Sequence, residues 1–203
     1  MEIYLMRHGE TDWNKAGKIQ GSADIPLNEY GRQLAKMTAE GLSDTYFDLA
    51  YTSPLIRAAE TAQIVAGSRG IPVIADRRLQ EMDFGSSEGS EISRCAADEN
   101  SVLYTFLKKP ELYVPADGEA FSDVEARSRS FIRQVLVPNE EKWTRILITA
   151  HGAFIRCFLN CIEHRPLAEF WEGIPQRNCA VNILECQQGK LSILEEGKLY
   201  YQV

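Results

Sequence analysis

Apolar positions along the chain come in two arrangements: short unbroken runs, and longer stretches in which they recur every three or four residues. Ile3-Tyr4-Leu5-Met6 is of the first kind, the pattern of a strand covered on both faces, and it stops abruptly at Arg7-His8-Gly9. Residues 145–150 repeat the arrangement, with Ile146-Leu147-Ile148 at the centre and His151-Gly152 at the end. Residues 47–52 and 71–75 predict two more strands, and Pro72 makes the second an edge strand or falls among its first residues. Residues 181–185 and 191–194, joined by Gln187-Gln188-Gly189-Lys190, predict a closing hairpin.

Helical spacing fills the intervals. Asn28 is placed to cap a helix that carries Leu34 and Met37 inward and fades by Gly41. Ser53-Pro54 reads as the N-cap and first residue of the next helix, with Leu55, Ala59, Ala62 and Val65 on one face and Gly70 at its end. Another runs from Phe121 through Val135 to a stop at Pro138, and a further one follows His151-Gly152 through Ile162. This alternation predicts an α/β fold, a three-layer α/β/α sandwich around a mostly parallel sheet, with residues 1–203 as a single domain. The alternation loosens over 76–118, where a helix around 91–108 sits among turns and prolines. That segment reads as a helical insertion over the crevice, a cap suited to setting substrate specificity. The polar stretch 12–21 reads as a loop.

Composition narrows the partners. The 203 residues carry a formal charge of −7, which argues against nucleic acid, whose phosphates demand a basic face. No apolar run approaches the roughly 20 residues of a membrane span, and no signal peptide is recognisable at the start. Five cysteines without regular spacing suit a reducing cytoplasm better than a disulfide framework. A small anionic substrate remains compatible, because it needs only a local cluster of cations. The sequence leaves monomer and homodimer equally open.

Such a cluster is implied by the strand ends. In open α/β sheets ligands collect beyond the carboxyl ends of the strands, where Arg7, His8 and His151 fall. Arg57 lies about one turn into the helix opened by Ser53-Pro54, at the positive end of its dipole. Groups of one sign gathered in one crevice call for an anion between them, and a phosphoryl group suits two arginine forks.

The same residues carry a resemblance. Leu5-Met6-Arg7-His8-Gly9-Glu10-Thr11, with Trp13-Asn14 and Gln20-Gly21 after it, resembles the opening signature of the histidine phosphatase superfamily, the phosphoglycerate mutase-like enzymes. Ser53-Pro54-Leu55-Ile56-Arg57-Ala58 with Thr61-Ala62 is similar to its second motif, and Leu79 to Gly85 with Glu88-Gly89 to its third. Thr149-Ala150-His151-Gly152 is similar to its fourth, so four motifs stand in family order. The resemblance implies that His8 is the nucleophile, forming a phosphohistidine. Arg7, Arg57 and His151 would bind the phosphoryl oxygens, with Gly21 and Gly152 beside them. Glu81 would protonate the leaving group and then activate water. Asn14 and Gln20 would add neutral hydrogen bonds to the phosphate, unless they only cap loop backbone. No metal and no other cofactor is needed, because side chains supply the positive charge.

Other polar groups have plainer readings. His164, before Arg165-Pro166, reads as a helix C-terminal residue, and Glu140-Glu141-Lys142 as a solvated helix end or turn. Cys157 and Cys161, one helical turn apart, read as packing rather than as metal ligands. As for the branch, the resemblance implies extra basic residues beyond the third motif in cofactor-dependent mutases; Gly89-Ser90-Glu91-Ile92-Ser93-Arg94 offers a single Arg. Ala153 stands where mutases often carry Asn, and Ser87 where phosphatases often carry an aromatic. Asp117-Gly118-Glu119-Ala120-Phe121 looks like a degraded Gly-Glu-Ser segment of several phosphatase branches. The expected function is therefore a phosphomonoesterase on a small phosphorylated metabolite. A phosphoglycerate-type mutase and a catalytically silent phospholigand-binding module are the alternatives.

Overall fold

The computed structural model describes residues 1–201. Six strands, β1 (Glu2–Arg7), β2 (Leu49–Thr52), β3 (Val73–Ala75), β4 (Arg145–Ala150), β5 (Val181–Gln187) and β6 (Lys190–Lys198), form one sheet in the order β3-β2-β4-β1-β5-β6. β1 to β4 are parallel to one another, and β5 and β6 add an antiparallel edge.

The unbroken apolar runs are explained by two covered faces. Ile3, Leu5, Ile146 and Ile148 point into one core, and Tyr4, Met6 and Leu147 into the other. Helices α6 (Phe121–Phe131) and α7 (Gly152–Glu163) cover the first face through Val124, Phe131, Phe154 and Phe158. On the second lie α2 (Glu29–Gly41) and α3 (Ile56–Val65), through Ala39 and Val65. Pairing β1 with β4 in parallel sets Arg7 opposite Ala150, so the residues that follow, His8 and His151, emerge side by side. β2 flanks β4 and delivers α3 to the same sheet edge. The sheet order thus converts three distant motifs into one crevice.

Several elements differ from the pattern's expectation. The stretch 12–21 contains a one-turn helix, α1 (Asp12–Lys15), because Thr11 caps it and the Asn14 side-chain oxygen accepts from the Thr11 main-chain N–H, a capping box. α3 begins at Ile56 with Leu55 as N-cap, two residues later than Ser53-Pro54 suggested; the Ser53 hydroxyl instead accepts from the Leu55 N–H at 3.3 Å. The expected 91–108 helix is two, α4 (Ile92–Cys95) and α5 (Val102–Lys108). After α6 the chain continues through a π turn over Ile132–Leu136, and Pro138 sits inside a 3₁₀ turn instead of ending the helix cleanly. β2 begins at Leu49 and β3 at Val73, so Phe47 and Pro72 precede their strands. The hairpin turns at Gln188 (φ 52°) and Gly189 (φ 74°), a left-handed pair that matches strand twist.

Candidate active site

Each site residue is fixed by the end of an element. Gly9 follows His8 because the chain must pass against the N-terminus of α2: a Cβ there would sit 2.5 Å from the Gly31 carbonyl oxygen. The Gly9 N–H donates to the Thr61 hydroxyl (3.0 Å), and that hydroxyl donates to the Arg57 carbonyl (2.6 Å), tying β1 to α3. Arg57 is fully buried, and its guanidinium donates to the Gly21 and Ala23 carbonyls (both 2.7 Å) and from Nε to His151 Nδ1 (3.2 Å). Burial pushes Arg57 down to about 10, opposed mainly by Glu81, so it stays a cation at neutral pH. Arg7 donates to the Gln176 carbonyl (2.6 Å), while its Nε is buried with no partner among the described residues.

The two histidines lie with ring centroids 5.1 Å apart and hold opposite tautomers. Burial, then Arg57 and other nearby cations, hold both well below the ordinary imidazole value, so both rings are neutral. His8 Nδ1 lies 2.6 Å from the Gly9 carbonyl. A carbonyl only accepts, so the proton is on Nδ1 and the lone pair is on Nε2. His151 Nδ1 accepts from Arg57, so its proton is on Nε2, an atom buried with no partner among the described residues. One ring therefore offers a lone pair and the other an N–H. A crevice that holds a buried Arg Nε and a buried His Nε2–H without partners among the described residues is suited to an anion.

Glu81 reaches the same place from the irregular chain after β3. Its carboxylate accepts from the main-chain N–H groups of Phe154 (2.8 Å) and Ala153 (3.2 Å), in the first turn of α7, and of Met82 (2.9 Å). A cavity of about 370 Å³ brings together Arg7, His8, Asn14, Gln20, Gly21, Arg57, Glu81 and Gly152. His151, wholly buried, stands just behind its wall. Asn14 and Gln20 take the capping role as well as a place on the wall. The Asn14 side-chain oxygen accepts from the Thr11 N–H (3.2 Å), and the Gln20 oxygen lies 2.9 Å from the Thr11 hydroxyl. The far wall is largely apolar, with Ile19, Phe84, Ile92, Phe106, Leu107 and Trp171.

Other residues complete the site without having stood out for it in sequence. Glu88 accepts from Ser22 N–H (2.7 Å), Ser22 hydroxyl (3.0 Å) and Ala23 N–H (2.8 Å), holding the loop that receives Arg57. It is thereby committed to backbone. Asn178 donates to the His8 carbonyl (3.0 Å). The only sequence signal for Glu88 was its place in the third motif; Asn178 had none. His164 caps α7 in a left-handed conformation (φ 56°), and Cys157 and Cys161 are buried, as read. Glu140 ends the 3₁₀ turn and Glu141-Lys142 form an exposed turn, as read; the Glu140 carboxylate in addition accepts from the Gly189 N–H (2.9 Å) and holds the hairpin turn.

Known proteins resemble this chain along its length. A phosphoglycerate mutase-named protein of Enterobacter sp. (strain 638), "Probable phosphoglycerate mutase GpmB", is 30% identical over 188 residues, covering 93% of this chain and 86% of that one. The structure of YhfR from Bacillus stearothermophilus superposes with a TM-score of 0.89 at 33% identity, covering 98% of this chain and 97% of its own. A mycobacterial glucosyl-3-phosphoglycerate phosphatase superposes with a TM-score of 0.84 at 27% identity, covering 97% and 98%. The family model of the histidine phosphatase superfamily (branch 1) matches residues 3–197, and with four motifs converging on one crevice the chain belongs to that superfamily.

Proposed function

We propose that the protein is a phosphomonoesterase that hydrolyses a small phosphorylated metabolite through a phosphohistidine on His8. The observation that carries this reading is the pair of tautomers: a lone pair on His8 Nε2 beside an N–H on His151, with Arg7 and the buried Arg57 close by. His8 Nε2 attacks phosphorus, the ester P–O bond breaks, and the leaving oxygen takes a proton from Glu81. Water then attacks phosphorus, passes a proton back to Glu81, and the N–P bond breaks to release phosphate. Arg7, Arg57 and His151 meet the charge on the oxygens as the phosphoryl group moves.

The mutase reading is favoured by the name of the Enterobacter relative. The far wall supports hydrolysis instead. Its cations are Lys18 and Arg156, and Arg156 already donates to the carbonyls of Glu172 (2.5 Å) and Ile174 (2.8 Å). A bisphosphorylated intermediate calls for more free positive charge than that.

Rapid quench with a labelled aryl phosphate tests the reading. Label should appear on His8 as an acid-labile, base-stable adduct, and phosphate should accumulate in water without any bisphosphorylated primer. His8→Ala should abolish both; label on another residue, or activity surviving in His8→Ala, would overturn the mechanism. Label that passes to a second phosphorylated product and requires primer would establish the mutase, and no turnover of any phosphate ester would leave the silent binding module.

A further inference from the structure

Glu81 occupies chain with no regular structure, between 3₁₀ turns at Arg77–Leu79 and Gly85–Ser87. Its position has to come from elsewhere. The Arg127 side chain, on α6, donates from Nη1 to the carbonyls of Arg78 (2.8 Å) and Gln80 (2.6 Å) and from Nη2 to that of Glu81 itself (3.1 Å). Its remaining two N–H groups meet Glu119 in a fork, Nε to Oε1 (2.9 Å) and Nη2 to Oε2 (3.0 Å). A guanidinium has five N–H donors, and these five contacts use all of them. Glu119 Oε2 also accepts from the Asp83 N–H (3.0 Å). One ion pair therefore holds the main chain on both sides of Glu81.

The same guanidinium lies 5.2 Å from the centroid of the Phe154 ring, and the Phe154 N–H donates to the Glu81 carboxylate. The pair thus braces the Glu81 backbone and contacts the helix turn that receives its side chain. Both members are mostly enclosed, with side-chain exposures of 17% for Arg127 and 26% for Glu119. Gly118 lets the Glu119 segment approach: its φ is +87°, and its backbone lies against the Asp83 carbonyl and the Gly85 nitrogen.

We infer that Arg127 and Glu119 are positioning residues for Glu81, setting where its carboxyl stands when it protonates the leaving oxygen. The inference rests on the proposed acid role of Glu81. A displacement of about 1 Å at a reacting group can cost on the order of 10²-fold, and that loss should fall selectively. Protonation matters for a departing alkoxide and hardly at all for a nitrophenolate.

The experiment compares single-turnover phosphorylation by a simple alkyl phosphate and by p-nitrophenyl phosphate in the full chain. The ratio of the two rates is read within each variant, so a reduced folded fraction cancels. In Arg127→Lys and Glu119→Gln the alkyl rate should fall on the order of 10–100-fold, with the nitrophenyl rate within about threefold of the parent. Lysine keeps the charge but has only three donors and no fork, so it should not rescue. On a Glu81→Gln background, Arg127→Lys should leave the ratio where Glu81→Gln has put it. A ratio unchanged in both single variants, with Glu81→Gln alone shifting it, would overturn this inference and keep Glu81 as the acid. A ratio unmoved even by Glu81→Gln would overturn the acid role and the inference together.

Discussion

At the scale of single residues, the chemistry follows from which ring nitrogen each histidine leaves free. Gly9 fixes His8 by accepting from Nδ1, and Arg57 fixes His151 by donating to Nδ1. The two neighbours differ in kind, a carbonyl and a guanidinium, and that difference alone gives one imidazole a lone pair and the other a proton at Nε2. A substitution at His151 should therefore be judged by whether it keeps a donor at that distance. Glutamine places its amide near the Nε2 position, whereas asparagine reaches only about as far as Nδ1. His151→Asn should lose on the order of 10²–10³ in kcat, the cost of one lost transition-state donor, and His151→Gln should lose clearly less. Steady-state rates with an aryl phosphate decide it, and equal losses would mean that His151 acts through its ring or its bulk.

At the scale of elements, strand ends were legible in the sequence and the loops that serve them were not. β1 and β4 declare themselves through unbroken apolar runs cut off by His-Gly, because burial on both faces removes any need for alternation. Arg57 was legible for a similar reason, standing at the start of a helix. The role of Glu88 was hidden, because its partners Ser22 and Ala23 lie 66 and 65 residues away in sequence and offer only backbone and hydroxyl groups. Arg127 reaches Glu81 over 46 residues by the same kind of contact. Periodicity cannot register such contacts. The Ser53-Pro54 pair set the start of α3 two residues early, and periodicity merged α4 with α5 across residues 96–101. The Glu88 contact has a measurable consequence. Replacing the carboxylate by an amide in Glu88→Gln puts an N–H₂ where acceptors are needed, loosening the loop whose carbonyls hold Arg57. Hydrogen bonds to a charged group contribute about 1.5–3 kcal/mol, so kcat/KM for p-nitrophenyl phosphate should drop about tenfold or more. An unchanged kcat/KM would show that the loop holds Arg57 without the Glu88 carboxylate.

At the scale of the whole molecule, the site concentrates positive charge inside a chain of net charge −7 and keeps its two histidines uncharged by burying them. In the proposed reaction the charge on a phosphate would be met by Arg7 and Arg57, and among the described residues the cavity wall bears one carboxylate, Glu81, already engaged by three N–H groups. Adding a chelator should therefore leave hydrolysis nearly unchanged, and a strict requirement for added divalent metal would contradict the charge assignment. Keeping the histidines neutral has a cost in stability that depends on pH. Unfolded, each protonates near 6.5, whereas folded, burial and then the arginines hold each well below that value. As pH falls through 6.5, the unfolded chain takes up protons that the folded chain does not, so the unfolding free energy rises with pH and is lost on acidification. Each histidine can contribute a slope of up to about 1.4 kcal/mol per pH unit in that window. Denaturant titrations between about pH 5.5 and 7.5, in phosphate-free buffer because an anion would stabilise the folded state, should show this decline. In the His8→Asn/His151→Asn double variant the decline should flatten to what the remaining ionisable groups produce, and the two proteins should differ most at the acid end. Parallel curves would mean that both rings take up protons in the folded protein as they do in the unfolded chain, so that burial does not keep them neutral on acidification.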